Sequence, residues 1–168
     1  PWHDKVHWKC SAARDHVWVS TFNRRHGERC PFCKSLRLSK TNCLANFPKV
    51  AKYLHPTKNG KLTAKDFRAS KGTVVWWKCP KGKDHEWQAK ISTNTGGSFG
   101  CPFCISNKVS ITNCLATRFP KIAKEWHPTR NKKKTPRLVN GSTASKYWWK
   151  CKLGHVWLQS VQIRTIRG

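Results

Sequence analysis

Acid is scarce in this sequence: 168 residues contain 7 aspartates and glutamates against 34 lysines and arginines, a formal net charge of +27. Metal-dependent phosphodiester cleavage, which uses carboxylates to hold magnesium, has few residues from which to build a site. Asp15 and Asp84 recur, each just before a histidine, but the matching position further on is Gly154. A loop role suffices for them, and no catalytic residue is expected. Long apolar runs are also missing. No stretch of about 18 apolar residues could span a bilayer and no long basic amphipathic helix could lie on one, so no membrane partner is expected. Hydrophobic residues make up only 38%, many of them cysteine or tryptophan, which argues against a large aliphatic core. A fold so placed needs disulfides or a structural metal. Nothing at Pro1 resembles a signal peptide, and a disulfide framework would leave one of nine thiols unpaired. A reducing intracellular compartment and a metal are the expectation.

What is present is repetition. Trp8, Trp77 and Trp149 each stand two residues before Cys10, Cys79 and Cys151, with lysine between them. His16, His85 and His155 follow, and two residues beyond each comes Trp18, Trp87 or Trp157. Two C-P-F-C segments, Cys30/Cys33 and Cys101/Cys104, complete the first two units. Structural zinc takes four cysteine or histidine ligands in a closed tetrahedron. The pattern therefore assigns Cys10, His16, Cys30 and Cys33 to one zinc ion, and Cys79, His85, Cys101 and Cys104 to a second. Cys151 and His155 begin a third site that the sequence does not complete before Gly168, so the chain reads as an interior piece of a longer protein or as one whose last site is finished by another molecule. His7 aligns with Trp76 and is not expected to bind metal. Cys43 and Cys114 read as buried packing cysteines, and His55 and His127 as caps of helix ends.

A second phrase separates the ribbons: Thr41-Asn42-Cys43-Leu44-Ala45 through Phe47-Pro48 to His55, and Thr112-Asn113-Cys114-Leu115-Ala116 through Phe119-Pro120 to His127. Bracketing prolines predict short helices from Pro48 to Leu54 and from Pro120 to Trp126. Val50, Ala51 and Leu54, like Ile122, Ala123 and Trp126, fall on one side that should pack on a ribbon. Strands are expected at Val74–Lys78 and His85–Ile91, and the stretches Thr57 to Lys71 and Thr129 to Ser145 read as basic loops. The fold class that follows is a small metal-stabilised α+β protein of tandem zinc-ribbon repeats, β-hairpins with two zinc half-sites joined by short helices and basic loops. Its divisions are 1–38, a first ribbon whose unit begins before the chain; 39–109, a helix and second ribbon; and 110–168, a helix and an incomplete third ribbon.

Trp76-Trp77-Lys78-Cys79, His85-Glu86-Trp87, Cys101-Pro102-Phe103-Cys104 and Trp126-His127-Pro128-Thr129-Arg130-Asn131 resemble a zinc-ribbon domain family found as tandem repeats in protist, bacterial and giant-virus proteins. That resemblance implies a small β ribbon with a nucleic-acid-associated role, and no catalytic residues. Departures are His7 for the first tryptophan of W-W-K-C, Leu54 for the tryptophan before His55, and the missing last C-x2-C. Tandem basic zinc ribbons also resemble accessory proteins of enlarged protist mitochondrial ribosomes, an analogy that implies ribosomal RNA, neighbouring ribosomal proteins and a mitochondrial location.

The surplus of positive charge independently calls for a polyanion. RNA is expected to meet the basic loops at Arg24, Arg25, Lys34, Arg37, Lys58, Lys61, Lys132, Lys133, Lys134 and Arg137, while most tryptophans serve packing around the metal. DNA or chromatin is the second choice, since no long helix suited to a major groove is visible. An accessory region of a nuclease and a module for an acidic protein partner are further alternatives.

Overall fold

The β-rich phrases on either side of each C–H loop pair as expected. The structure, a computed structural model, describes residues 3–27, 29–97 and 100–167. Among these, three antiparallel hairpins form: β1 (Lys5–Lys9) with β2 (Val17–Thr21), β3 (Val74–Lys78) with β4 (Glu86–Lys90), and β5 (Lys146–Lys150) with β6 (Val156–Ser160). Their registers are equivalent. Trp8 lies opposite Trp18, Trp77 opposite Trp87, and Trp149 opposite Trp157. A side chain that donates to the backbone across the hairpin resists slippage of that register. The indole N–H of Trp8 reaches the Ser20 carbonyl, that of Trp77 the Ala89 carbonyl, and that of Trp149 the Gln159 carbonyl, each at 3.0 Å.

A helical turn that the sequence reading did not anticipate follows each hairpin: α1 (Phe22–Gly27), α3 (Ile91–Thr95) and α6 (Val161–Arg167). Ile91-Ser-Thr-Asn-Thr has weak helix propensity, so packing must supply what propensity does not. Ile91 and Val161 are fully buried, and the amides that open these turns bond to the Thr73 and Ser145 carbonyls.

The linker helices α2 (Pro48–Ala51) and α5 (Pro120–Ala123) begin at the expected prolines and end a turn sooner than expected. The backbone leaves the helix there to add itself to the next hairpin. The His55 amide bonds to Trp76 O and the Lys78 amide to Tyr53 O, matched by His127 to Trp148 and Lys150 to Glu125. Leu54 and Trp126 therefore occupy β-bridges with Trp77 and Trp149. A 3₁₀ turn at Leu44–Asn46 precedes α2, and α4 (Leu115–Arg118) precedes α5.

His55 and His127 hold the turn after the linker helix. Each Nδ1 accepts two backbone N–H groups, from Thr57 and Lys58 at 3.2 and 3.1 Å and from Thr129 and Arg130 at 3.3 Å each. Glu86 lies 3.1 Å from the other nitrogen of His55, and contact with Lys58 first, then His55 and Lys78, holds its carboxyl at about 2. Val156 stands where Glu86 does. His127 is instead surrounded by burial, Arg130 and Lys150, all of which lower its pKa.

The chain forms two compact units, residues 1–78 with 86–99, and residues 79–85 with 100–168. In the second, Leu115, Val139, Trp149 and Val161 make the core, with Phe119, Ile122, Ala123 and Trp126 packed against it. Trp149 thus packs under its linker rather than around a metal, a refinement of the expected tryptophan role. In the first, Trp18, Cys30 and Phe32 cluster with Trp8 and Cys10. Leu44, Val50, Phe67, Val75 and Trp77 are buried there as well.

Candidate metal centres

Each C–H loop is closed by a hydrogen bond from the cysteine amide to the histidine carbonyl: Cys10 to His16 at 3.0 Å, Cys79 to His85 at 2.9 Å and Cys151 to His155 at 3.0 Å. That bond turns two ligand side chains toward one point. C-P-F-C supplies the other two from a tight turn, in which Ser35 and Ser106, two residues past the last cysteine, take left-handed φ values of 53° and 65°.

Cys10, His16, Cys30 and Cys33 come together, as do Cys79, His85, Cys101 and Cys104, with all four ligand atoms of each set within 4.8 Å of one another. Tetrahedral zinc with ordinary bond lengths requires about 3.8 Å between sulfurs and about 3.6 Å from sulfur to nitrogen. The first cluster has Cys10 Sγ to Cys33 Sγ at 3.7 Å, and His16 Nδ1 to Cys30 and Cys33 at 3.7 and 3.5 Å. The second has Cys79 to Cys104 at 3.8 Å, and His85 Nδ1 to Cys101 and Cys104 at 3.6 Å each. Both donor sets and both spacings fit zinc. The Cys3His clusters are two zinc sites of the closed, structural kind, with four protein ligands and none required from solvent.

Histidine orientation comes from residues that the sequence reading passed over. With Nδ1 aimed at the metal, Nε2 carries the proton and donates to hydroxyls. His16 Nε2 lies 2.9 Å from Thr41 Oγ1 and 3.3 Å from Ser39 Oγ; His85 Nε2 lies 2.7 Å from Thr112 Oγ1 and 3.1 Å from Ser110 Oγ. Asn42 and Asn113 pin the C-P-F-C turn, donating to the carbonyls of Phe32 and Arg37 and of Phe103 and Lys108. Asp15 and Asp84 complete the arrangement by accepting the Lys40 and Ile111 amides at 2.7 and 2.6 Å. Phe32 and Phe103 stack on the two histidine rings at 5.1 and 5.0 Å. The signal was legible: Ser-x-Thr-Asn-Cys recurs at one distance from each C-P-F-C.

As bare thiols the ligands crowd one another. Burial, then the sulfurs of Cys10 and Cys30, pushes Cys33 up to about 11; burial, then Cys101 and Cys79, pushes Cys104 up to about 12. Zinc binding must displace those protons.

Cys151 and His155 close a loop like the first half of the two sites but with two residues fewer, and Gly154 at φ 91° makes the tighter turn. Among the described residues no further ligand joins them. His7 projects from β1 as an exposed residue outside the clusters, and Cys43 and Cys114 are buried away from them.

Of the basic residues singled out, Arg24, Lys34, Arg37, Lys61, Lys132, Lys133, Lys134 and Arg137 are exposed. Lys58 is exposed too, but its ammonium pairs with Glu86 and lies 4.6 Å from the Trp76 ring centre. Arg130 repeats that cation–π contact over Trp148 at 4.8 Å. Arg25 lies in α1, and its side chain falls outside the described residues.

Residues 50–107 and 122–168 match the model of a family described as a probable treble clef zinc finger domain. Both matches begin within a linker helix, and the first runs through hairpin and C-P-F-C to enclose the whole second site. No curated protein matches the chain.

Proposed function

We propose that this chain, which belongs to the family of probable treble clef zinc finger domains, is a non-catalytic RNA-binding protein that its zinc ions keep folded. The supporting observation is the fate of its few carboxylates. Asp15, Asp66 and Asp84 accept backbone amides, while Glu86 and Glu125 pair with cations of the same chain. Seven acidic residues cannot offset 34 lysines and arginines, a net charge of +27, and most of the cations among the described residues are exposed. A field of that sign concentrates polyanions. The zinc ions contribute rigidity to the fold that presents these cations.

RNA is preferred to DNA because helices among the described residues reach only seven residues, at α6, too short for the helix-in-groove docking that reads duplex DNA. No helix is long and apolar enough to cross a membrane among the described residues. The finer assignment, a structural component of a mitochondrial ribosome that contacts ribosomal RNA phosphates and neighbouring ribosomal proteins, rests on analogy with other tandem basic zinc ribbons.

The test is a salt titration of RNA binding. If about 8 cations neutralise phosphates, log affinity falls against log salt with a slope of about −6 to −7. A slope shallower than about −2, or stronger competition from duplex DNA than from ribosomal RNA, would refute the reading.

A further inference from the structure

The cations are unevenly placed. In the first unit, Lys5, Arg24, Arg29 and Arg37 line one groove of about 550 Å³, with Pro31 and Leu36 among its apolar walls. All four cations are exposed, and no described residue lining the groove is acidic. The volume is that of an ordinary small-ligand cleft.

Comparison of the repeats removes the simplest explanation, that the fold requires these residues. Strand register aligns Lys5 with Val74, the third residue of the helical turn aligns Arg24 with Thr93, and C-P-F-C aligns Arg29 with Gly100 and Arg37 with Lys108. The ligands, the hydroxyl pair and the asparagine are the same in both repeats. Three of the four cations are not. Lys5, Arg29 and Arg37 set like charges around one recess, an arrangement that an anion between them would relieve.

We propose that this groove seats an unpaired segment of RNA, with phosphates at the cationic rim and one nucleotide's base or sugar against Pro31 and Leu36. A recess of this size admits a splayed nucleotide, whereas a duplex keeps its bases stacked inside and would touch only the rim. The proposal rests on the nucleic-acid reading above and gives it a place.

The experiment uses the full zinc-loaded chain and compares Lys5→Gln/Arg29→Gln/Arg37→Gln with Lys121→Gln/Lys124→Gln/Lys146→Gln, which removes the same charge elsewhere. Anisotropy with an unstructured oligouridine should show the groove variant losing at least about tenfold more affinity than the control variant, with the salt slope reduced by about 2. A self-complementary RNA duplex should not distinguish the two variants. Zinc content unchanged at two per chain establishes that both are folded. Leu36→Ala adds an uncharged probe, expected to weaken oligouridine binding without changing the salt slope. Equal losses in the two charge variants, or an effect as large on the duplex, would overturn the groove while leaving RNA binding intact. A parent chain that binds neither RNA would overturn the proposed function together with the groove.

Discussion

Substituting Ser110→Ala and Thr112→Val should weaken the second zinc site without touching any ligand. His85 is only 2% exposed, and its Nε2 proton has two acceptors, at 2.7 and 3.1 Å. Removing both hydroxyls strands a buried donor, at a cost of about 1–3 kcal/mol. Loss of a partner that orients a ligating histidine lowers metal affinity about 10- to 100-fold, or about 1.4–2.7 kcal/mol, so two routes give one magnitude. Thr112→Val alone leaves Ser110 as acceptor and should cost less than tenfold. Competitive titration against a chromophoric chelator measures this within one molecule, because the first site keeps Ser39 and Thr41 and serves as reference. The expected curve has one wild-type step and one weakened step. Two unshifted steps would refute the idea that the hydroxyls hold the imidazole; two equally weakened steps would mean that the substitutions disturb the whole fold.

Elemental analysis should find two tightly held zinc ions per chain, and strong chelators should abolish the near-ultraviolet circular dichroism of the buried tryptophans, since closed zinc sites of this kind are coupled to folding. Trp149→Ala empties a fully buried position in the core of the second unit and should lower stability by about 3–5 kcal/mol, read as a lower denaturation midpoint. The thiols of Cys33 and Cys104, raised to about 11 and about 12, are protonated at neutral pH, so zinc binding should release at least about one proton per site and weaken as pH falls. Calorimetry in buffers of different ionisation enthalpy counts those protons, and a value below about one would contradict thiolate ligation.

The ligand sets were legible because a tetrahedral ion imposes fixed spacing on four residues, and two copies of C-x5-H and C-P-F-C leave little room for another assignment. The hairpins were legible for a related reason: tryptophan and valine on alternate sides of a turn fit a half-buried strand. What escaped were elements set by distant partners. Nothing local in Ile91-Ser-Thr-Asn-Thr specifies helix; Ile91 turns helical because it is fully buried and its amide meets Thr73. The early end of α2 was hidden in the same way, because Leu54 is helix-compatible by pattern and is captured by Trp77 of the following hairpin. Lys58 looked like a free cation on a loop, and only the fold brings Glu86 and Trp76 to it.

The hydroxyls and asparagine that steady each zinc site lie beyond its last cysteine, in the phrase that opens the next linker. Successive modules are therefore written in overlapping words. Excision immediately after C-P-F-C would keep every ligand and still orphan the imidazole that binds the ion, so an array of this kind can gain or lose members cleanly only at joints that fall after Ser-x-Thr-Asn.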